Sequence, residues 1–190
     1  MFTLSEIFDA VFMSLGVGFI FKDIISQNLP RMNHDPLKVH PLGFDWSGFM
    51  MTVAITAPAV VVHELAHKLV ALIFGLTATF HAAYTWLAIG IILKLLNFPF
   101  VFFVPGYVSI GGNFSPLTHS IVAFAGPFLN LVLWLGCYAL YKFRIVKKKK
   151  YLPLLILTSK INMFLFIFNM LPIPFFDGFA VYKGIFNTLF

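Results

Sequence analysis

The chain of 190 residues has the length of one domain, but 60% of its residues are hydrophobic and only 11% are charged. A soluble domain carries about 25% charged residues, so this composition, with a mean hydropathy of +0.93, excludes a soluble fold. The net charge of +6 arises from basic residues in loops beside apolar spans, which is typical of membrane orientation and indicates no nucleic-acid partner. We therefore predict an all-α polytopic membrane protein.

The first predicted span covers residues 7–25 and begins with a helix cap. Thr3 and Glu6 have the spacing of a capping box, in which each residue satisfies a backbone N–H of the other. No basic segment precedes the apolar run, so we expect a retained helix and not a cleaved signal peptide. The polar loop that follows contains His34 and His40, to which the sequence assigns no role.

The second span, residues 47–75, has Asp45 or Ser47 as its N-cap and Pro58 in its interior. A proline inside a helix removes one backbone hydrogen bond, so a kink is expected just before His63.

Residues 82–112 change from a helical pattern to one rich in Pro, Val and Gly, which predicts a re-entrant helix and β-strand at the membrane boundary. The third span, residues 117–141, starts after Ser115 as N-cap, with a proline at the first helical position. The last span, residues 152–178, is broken by two prolines, and a short tail follows. Residues 1–190 thus form one predicted membrane-embedded domain with about four main transmembrane helices.

Two histidines and a glutamate interrupt the second span in the stretch VVVHELAHKLVA. His63 and His67 are four residues apart, so both imidazoles lie on one helix face and can bind one metal ion. Glu64 borders that face and can reach water on the metal, as in the H-E-x-x-H arrangement of zinc hydrolases. Ionisable groups in a span are costly, so these residues are predicted to be functional. Lys68 is expected to point off this face and to snorkel or pack.

A catalytic zinc site needs a third protein ligand. The candidates are polar residues in or beside the apolar segments: His81, His119, Glu6, Asp9 and Asp177. We favour Asp177 because it follows two helix-breaking prolines in the stretch NMLPIPFFDG. The glycine after it is expected to allow an unusual backbone angle beside the carboxylate. Such a break within a bilayer is tolerated where it lines a protected polar cavity.

Three elements together resemble the site-2 proteases, zinc metalloproteases that cut within the membrane. HELAHKLVA matches their first motif, AGPFLN their small-residue and asparagine motif, and NMLPIPFFDG their asparagine–proline–aspartate–glycine motif. The resemblance covers residues 58–178. It implies one Zn²⁺ per chain, with Glu64 as general base and Asn169 positioning the scissile peptide or stabilising the oxyanion. The zinc ligands it implies are His63, His67 and Asp177.

The resemblance also implies a transmembrane protein as substrate and a lipid bilayer around the enzyme. Gly126 would permit close helix approach, and Asn130 would make a polar contact between helices. The stretch PGYVSIGG stands where the family has a boundary sheet, whose edge would bind an unwound substrate by β-addition. Three residues depart from the family pattern and affect the expected pocket shape: Ala66, Phe176 and Phe179.

Two arguments about orientation conflict. If the two zinc-bearing spans run parallel, the AGPFLN span runs antiparallel, and the loop KFRIVKKKK lies with Arg31 and Lys38 at the end away from the zinc. The positive-inside rule makes these basic loops cytoplasmic. The resemblance puts the active site nearer the cytoplasmic face, which would place these basic loops on the outside. The two assignments of the loops cannot both hold.

Two alternatives to a multi-pass intramembrane endopeptidase of the cell membrane stay open at this point. A prenyl-protein protease also uses H-E-x-x-H but commonly takes a later glutamate as third ligand, and no glutamate follows Glu64. A non-catalytic zinc-binding membrane protein would keep the histidines but gain nothing from a base at that position.

Overall fold

The computed structural model describes residues 3–28, 44–98 and 105–190. Its elements in chain order are α1 (Leu4–Asn28), α2 (Trp46–Ile73), β1 (Thr77–Ala82), α3 (Tyr84–Leu95), β2 (Gly106–Gly111), α4 (Pro116–Lys142), α5 (Leu152–Asn169) and α6 (Asp177–Leu189). A short 3₁₀ turn, Lys149–Tyr151, precedes α5. Four residues named above lie outside the described ranges: Arg31, His34, Lys38 and His40.

Within the described ranges, four helices are long and apolar enough to cross a membrane: Leu4–Ile25 of α1, and the whole of α2, α4 and α5. Each has at least 18 residues, and a bilayer core of about 30 Å needs about 20. Large apolar side chains such as Phe8, Leu135 and Phe164 are exposed on the outside of the helices, which suits lipid as the surrounding solvent. The prediction of a helical polytopic membrane protein is confirmed.

Local sequence signals begin three of these helices. The backbone N of Thr3 donates to Glu6 Oε2 (2.8 Å), and the backbone N of Glu6 donates to Thr3 Oγ1 (3.3 Å), which confirms the capping box. Asp45, and not Ser47, caps α2 by accepting a 2.9 Å hydrogen bond from a backbone N–H of the first turn. Ser115 caps α4 in the same way at 3.1 Å.

Side-chain contacts fix the direction of α4 against α2. His67 Nδ1 lies 2.7 Å from the Val122 carbonyl, and Asn130 Nδ2 lies 3.2 Å from the Ala59 carbonyl. Residue numbers therefore rise along α4 as they fall along α2, so the two helices are antiparallel. The loop after α4 begins about 16 residues, or about 24 Å, beyond Gly126, and it lies at the end of the bundle away from His67.

Helix α5 runs antiparallel to α4 in turn. Asn130 donates to Asn162 at 2.8 Å, and Ser159 donates to the Trp134 carbonyl at 3.2 Å. It follows that α2 and α5 are parallel, the arrangement expected for the two spans that carry the zinc motifs.

The strands β1 and β2 form a two-stranded antiparallel sheet, with Thr77 opposite Gly111 and Ala82 opposite Gly106. The sequence did not predict β1, because this short strand exists through pairing with residues about 30 positions away. The 12 residues of α3 rise about 18 Å, which is less than the bilayer core. Because α2 ends and α4 begins at the same end of the bundle, the segment between them leaves and returns there. Its re-entrant course stays a prediction.

The span predicted for residues 152–178 is two helices, and the predicted tail is helical. Helix α5 ends at Asn169, residues 170–176 form turns, and α6 begins at Asp177. The expectation of an unusual backbone angle at Gly178 is wrong, since its φ is not positive. Glycine is needed there for space, because a Cβ would lie 2.5 Å from the carbonyl carbon of Met170.

Candidate metal centre

Three side chains that can bind a metal converge where α2 meets α6. His63 and His67 occupy successive turns of α2, and Asp177 is the first residue of α6. The two Nε2 atoms are 3.1 Å apart. Asp177 Oδ2 lies 3.1 Å from His63 Nε2 and 3.4 Å from His67 Nε2. Within the described ranges, no other group of three His, Cys, Asp or Glu side chains could hold a metal ion.

These separations fit a zinc ion. Tetrahedral donors at bond lengths of about 2.0–2.1 Å stand about 3.3 Å from one another. Two imidazoles and one carboxylate also form a donor set of zinc hydrolases, in which water takes the fourth position. The chemistry and the spacing of the donors thus both suit zinc.

The second nitrogen of each imidazole is held by an acceptor on α4. His63 Nδ1 donates to Asn130 Oδ1, and His67 Nδ1 donates to the Val122 carbonyl at 2.7 Å. A proton on Nδ1 leaves the Nε2 lone pair directed at the centre. Metal-ligating histidines are commonly oriented in this way, and the partner of the second nitrogen raises ligand basicity.

Asn130 is itself held in one orientation. Its amide nitrogen donates to the Ala59 carbonyl and to Asn162 Oδ1, while Asn162 donates to the Thr158 carbonyl at 2.8 Å. This chain of amides leaves the Oδ1 of Asn130 free to accept from His63. The resemblance implied only a contact between helices for Asn130. Sequence reasoning missed Asn162, whose one signal was an amide inside an apolar helix.

Gly126 faces the two metal-binding nitrogens from α4. A Cβ at this position would lie 2.6 Å from His63 Nε2 and would also clash with His67 Nε2. The space in front of the donor atoms therefore exists because the AGPFLN stretch carries glycine here.

Gly126→Ala is expected to weaken zinc binding by about 100-fold, because the new methyl group occupies the space beside both donors. The check is zinc content per purified chain and competition with a chelator. Gly136→Ala on the same helix is the matched control, since no atom of the described residues would lie within 4 Å of a Cβ there. An unchanged zinc affinity in Gly126→Ala would show that no metal ion binds between the two Nε2 atoms and α4.

The donor atoms open onto a cavity of about 660 Å³. Glu64, next to His63 on α2, lines it and is 7% exposed. Asn169 lines it from the last position of α5, and His119 from the start of α4. Strand β2 forms one wall, and aromatic residues cover much of the remainder: Phe21, Phe164, Phe168, Phe175, Phe176 and Phe179.

The other candidate ligands lie apart from this group. Glu6 accepts from Lys68, and Asp9 Oδ2 is 3.9 Å from His81 Nδ1. His119 shares the cavity but not the donor cluster. Of the two alternatives expected for Lys68, snorkelling and packing, the structure shows packing, because the residue is 1% exposed and forms a buried ion pair with Glu6.

A strained turn leads into Asp177. The backbone N of Phe176 donates to the Ile173 carbonyl at 3.2 Å, so Pro174 and Phe175 are the central residues of a β-turn. Phe175 has φ of 81°, the value of the third position of a type II turn, where glycine or asparagine is preferred. A bulky residue held there costs about 1–3 kcal/mol.

The chain is 33% identical over 184 residues to "Putative zinc metalloprotease MJ0611" of Methanocaldococcus jannaschii. The match covers 96% of this chain and 85% of that protein. No protein-family model matches the chain, and no solved structure does. Because a third of the residues are identical over nearly the full length, the chain belongs to the zinc metalloprotease family of this archaeal protein.

Proposed function

We propose that the protein is a site-2-protease-like zinc endopeptidase that hydrolyses a peptide bond within a transmembrane segment of a protein of the cell membrane. The observation that carries the proposal is the position of the donor atoms inside a membrane-type helix bundle. His67 lies about 9 Å from the end of α2, measured along the helix axis, and α2 is long and apolar enough to span a bilayer. Hydrolysis at this depth suits a substrate that is itself in the membrane.

The positions of the residues support a role for each of them. His63, His67 and Asp177 would hold the zinc ion, and zinc, when bound, polarises the scissile carbonyl and makes a water molecule more acidic. Glu64 lines the same cavity and accepts the proton of the attacking water. It then returns that proton to the leaving amine, so that one carboxylate serves as base and then as acid.

Asn169 is the residue best suited to hold the scissile peptide. It ends α5 and lines the cavity that also contains Glu64. Its amide offers both a donor and an acceptor. The NH₂ group can donate to the scissile carbonyl oxygen as negative charge develops on it.

Strand β2 supports binding of the substrate in an extended form. Its residues Gly106, Tyr107, Val108 and Ile110 line the cavity. Within the described residues it pairs with β1 along one edge only. An unwound substrate segment can add to the second edge through backbone hydrogen bonds, which brings a peptide carbonyl beside the metal centre.

Purified enzyme in liposomes is expected to cut a test protein whose transmembrane segment carries a helix-weakening Asn-Gly pair. Mass spectrometry should locate the cut inside the apolar segment, and chelation should stop cleavage until zinc is restored. An unfolded soluble polypeptide serves as control and should survive. Cuts confined to the soluble flanks, or no cleavage by the zinc-loaded enzyme, would overturn the proposal.

A further inference from the structure

Phe175 occupies an unfavourable backbone position without packing into the fold. Its φ of 81° is one that glycine adopts without strain, and 86% of the residue is exposed. The adjacent Phe176 is the opposite case, with 9% exposure and its ring centroid 5.2 Å from that of Phe168. Among the described residues, the fold therefore explains the ring of Phe176 but gives the largely exposed ring of Phe175 no packing role.

The strained residue Phe175 is close to the candidate metal centre. Phe175 precedes Asp177 by two positions and lines the cavity shared by Glu64 and Asn169. Because it lines this cavity and is still largely exposed, its ring stands at the mouth of the cavity. A segment that reaches the metal centre through this mouth contacts the ring.

Contact with lipid alone does not account for a phenyl group here. Lipid solvates any apolar side chain on a relaxed backbone equally well, and glycine would remove the strain altogether. Strained backbone is typical of binding and catalytic sites, where it orients a group for a ligand. We infer that Phe175 is a specificity-determining residue, which binds a large apolar side chain of the substrate close to the scissile bond. This inference rests on the proposed function.

The residues of the cavity wall around Phe175 indicate which substrate side chain fits there. Phe176 and Phe179 line the same cavity from the positions that flank Asp177. Together with Phe175, they make the part of the cavity wall beside Asp177 aromatic. Aromatic rings in such a cluster favour edge-to-face packing with another ring, and they also pack well on branched aliphatic groups. We therefore expect the substrate residue that contacts Phe175 to be aromatic or a large aliphatic one.

Photo-crosslinking tests the contact directly. The photoreactive analogue p-benzoylphenylalanine is introduced at position 175 of a Glu64→Gln chain, in liposomes with the transmembrane test substrate. We expect a crosslink to substrate residues near the cleavage site used by the wild type. The same analogue at position 128, an exposed phenylalanine of α4 that does not line this cavity, is the matched control and should give no crosslink to substrate residues near the cleavage site. Crosslinks from position 175 to lipid alone would overturn the inference.

Kinetics separate this role from a structural one. Phe175→Gly should keep the zinc content of the wild type and should be at least as stable to heat, because glycine relieves the backbone strain, while kcat/KM for the test substrate falls about tenfold through a raised KM. Phe175→Leu, which retains an apolar contact, should recover most of the loss. A substrate with alanine in place of its large apolar residue should no longer distinguish the variants.

The outcomes distinguish the two proposals. A wild type that cleaves, with Phe175→Gly cleaving equally well, overturns the role of Phe175 alone. A zinc-loaded wild type that cleaves no transmembrane substrate overturns the proposed function, and the inference falls with it.

Discussion

Glu64→Gln is expected to lose cleavage by about 10²- to 10⁴-fold, the usual contribution of a general base, while the chain keeps its zinc. Glutamine has nearly the size and shape of glutamate, so the substitution removes proton acceptance without opening a gap. The three donor atoms belong to other residues, His63, His67 and Asp177. Cleavage of the transmembrane test substrate and zinc content are measured on the same preparation.

A carboxylate-to-amide change elsewhere is the control for this variant. Asp23 forms an ion pair with Lys94 at 3.4 Å and has an exposed side chain, so Asp23→Asn should alter cleavage by less than about twofold. Wild-type cleavage by Glu64→Gln would exclude the base role of Glu64. Loss of zinc together with activity would instead assign Glu64 to the integrity of the site.

The parts of the site that depend on local geometry could be predicted from the sequence. The i, i+4 spacing alone puts His63 and His67 on one helix face, and their Nε2 atoms are 3.1 Å apart. The prolines before Asp177 predicted a break, and a break separates α5 from α6. The helix caps at Ser115 and Asp45 were likewise recognisable, because capping involves residues within one turn.

The parts that depend on distant contacts could not be predicted. The acceptor for His67 is the backbone carbonyl of Val122, and every residue has such a carbonyl. The requirement for glycine at position 178 comes from Met170 across a turn. Strand β1 needs β2 as partner, and neither strand has a pattern strong enough to reveal the pairing. In each case the decisive neighbour lies elsewhere along the chain.

The buried pair of Glu6 and Lys68 is another feature that depends on residues far apart in the sequence. The residues are 3% and 1% exposed, and Lys68 Nζ donates to Glu6 Oε1. The same oxygen accepts the backbone N–H of Phe80 at 2.8 Å. One carboxylate thereby joins α1, the ligand-bearing α2 and β1. Phe80 is opposite Val108, which lines the cavity, so this carboxylate connects the cavity-lining sheet to the helix that carries His63 and His67.

Lys68→Met is expected to destabilise the protein by about 3–5 kcal/mol, because the buried carboxylate of Glu6 loses its cation. For a chain of this size the melting temperature in detergent should fall by about 10 °C. The double variant Glu6→Gln/Lys68→Met should regain most of this loss, since glutamine is neutral and still accepts from Phe80. Lys148→Met, at an exposed position, is the matched control and should change stability by less than about 0.5 kcal/mol. If the double variant melted as low as Lys68→Met, the loss of stability would not come from the unpaired carboxylate of Glu6, and the ion-pair explanation would be wrong.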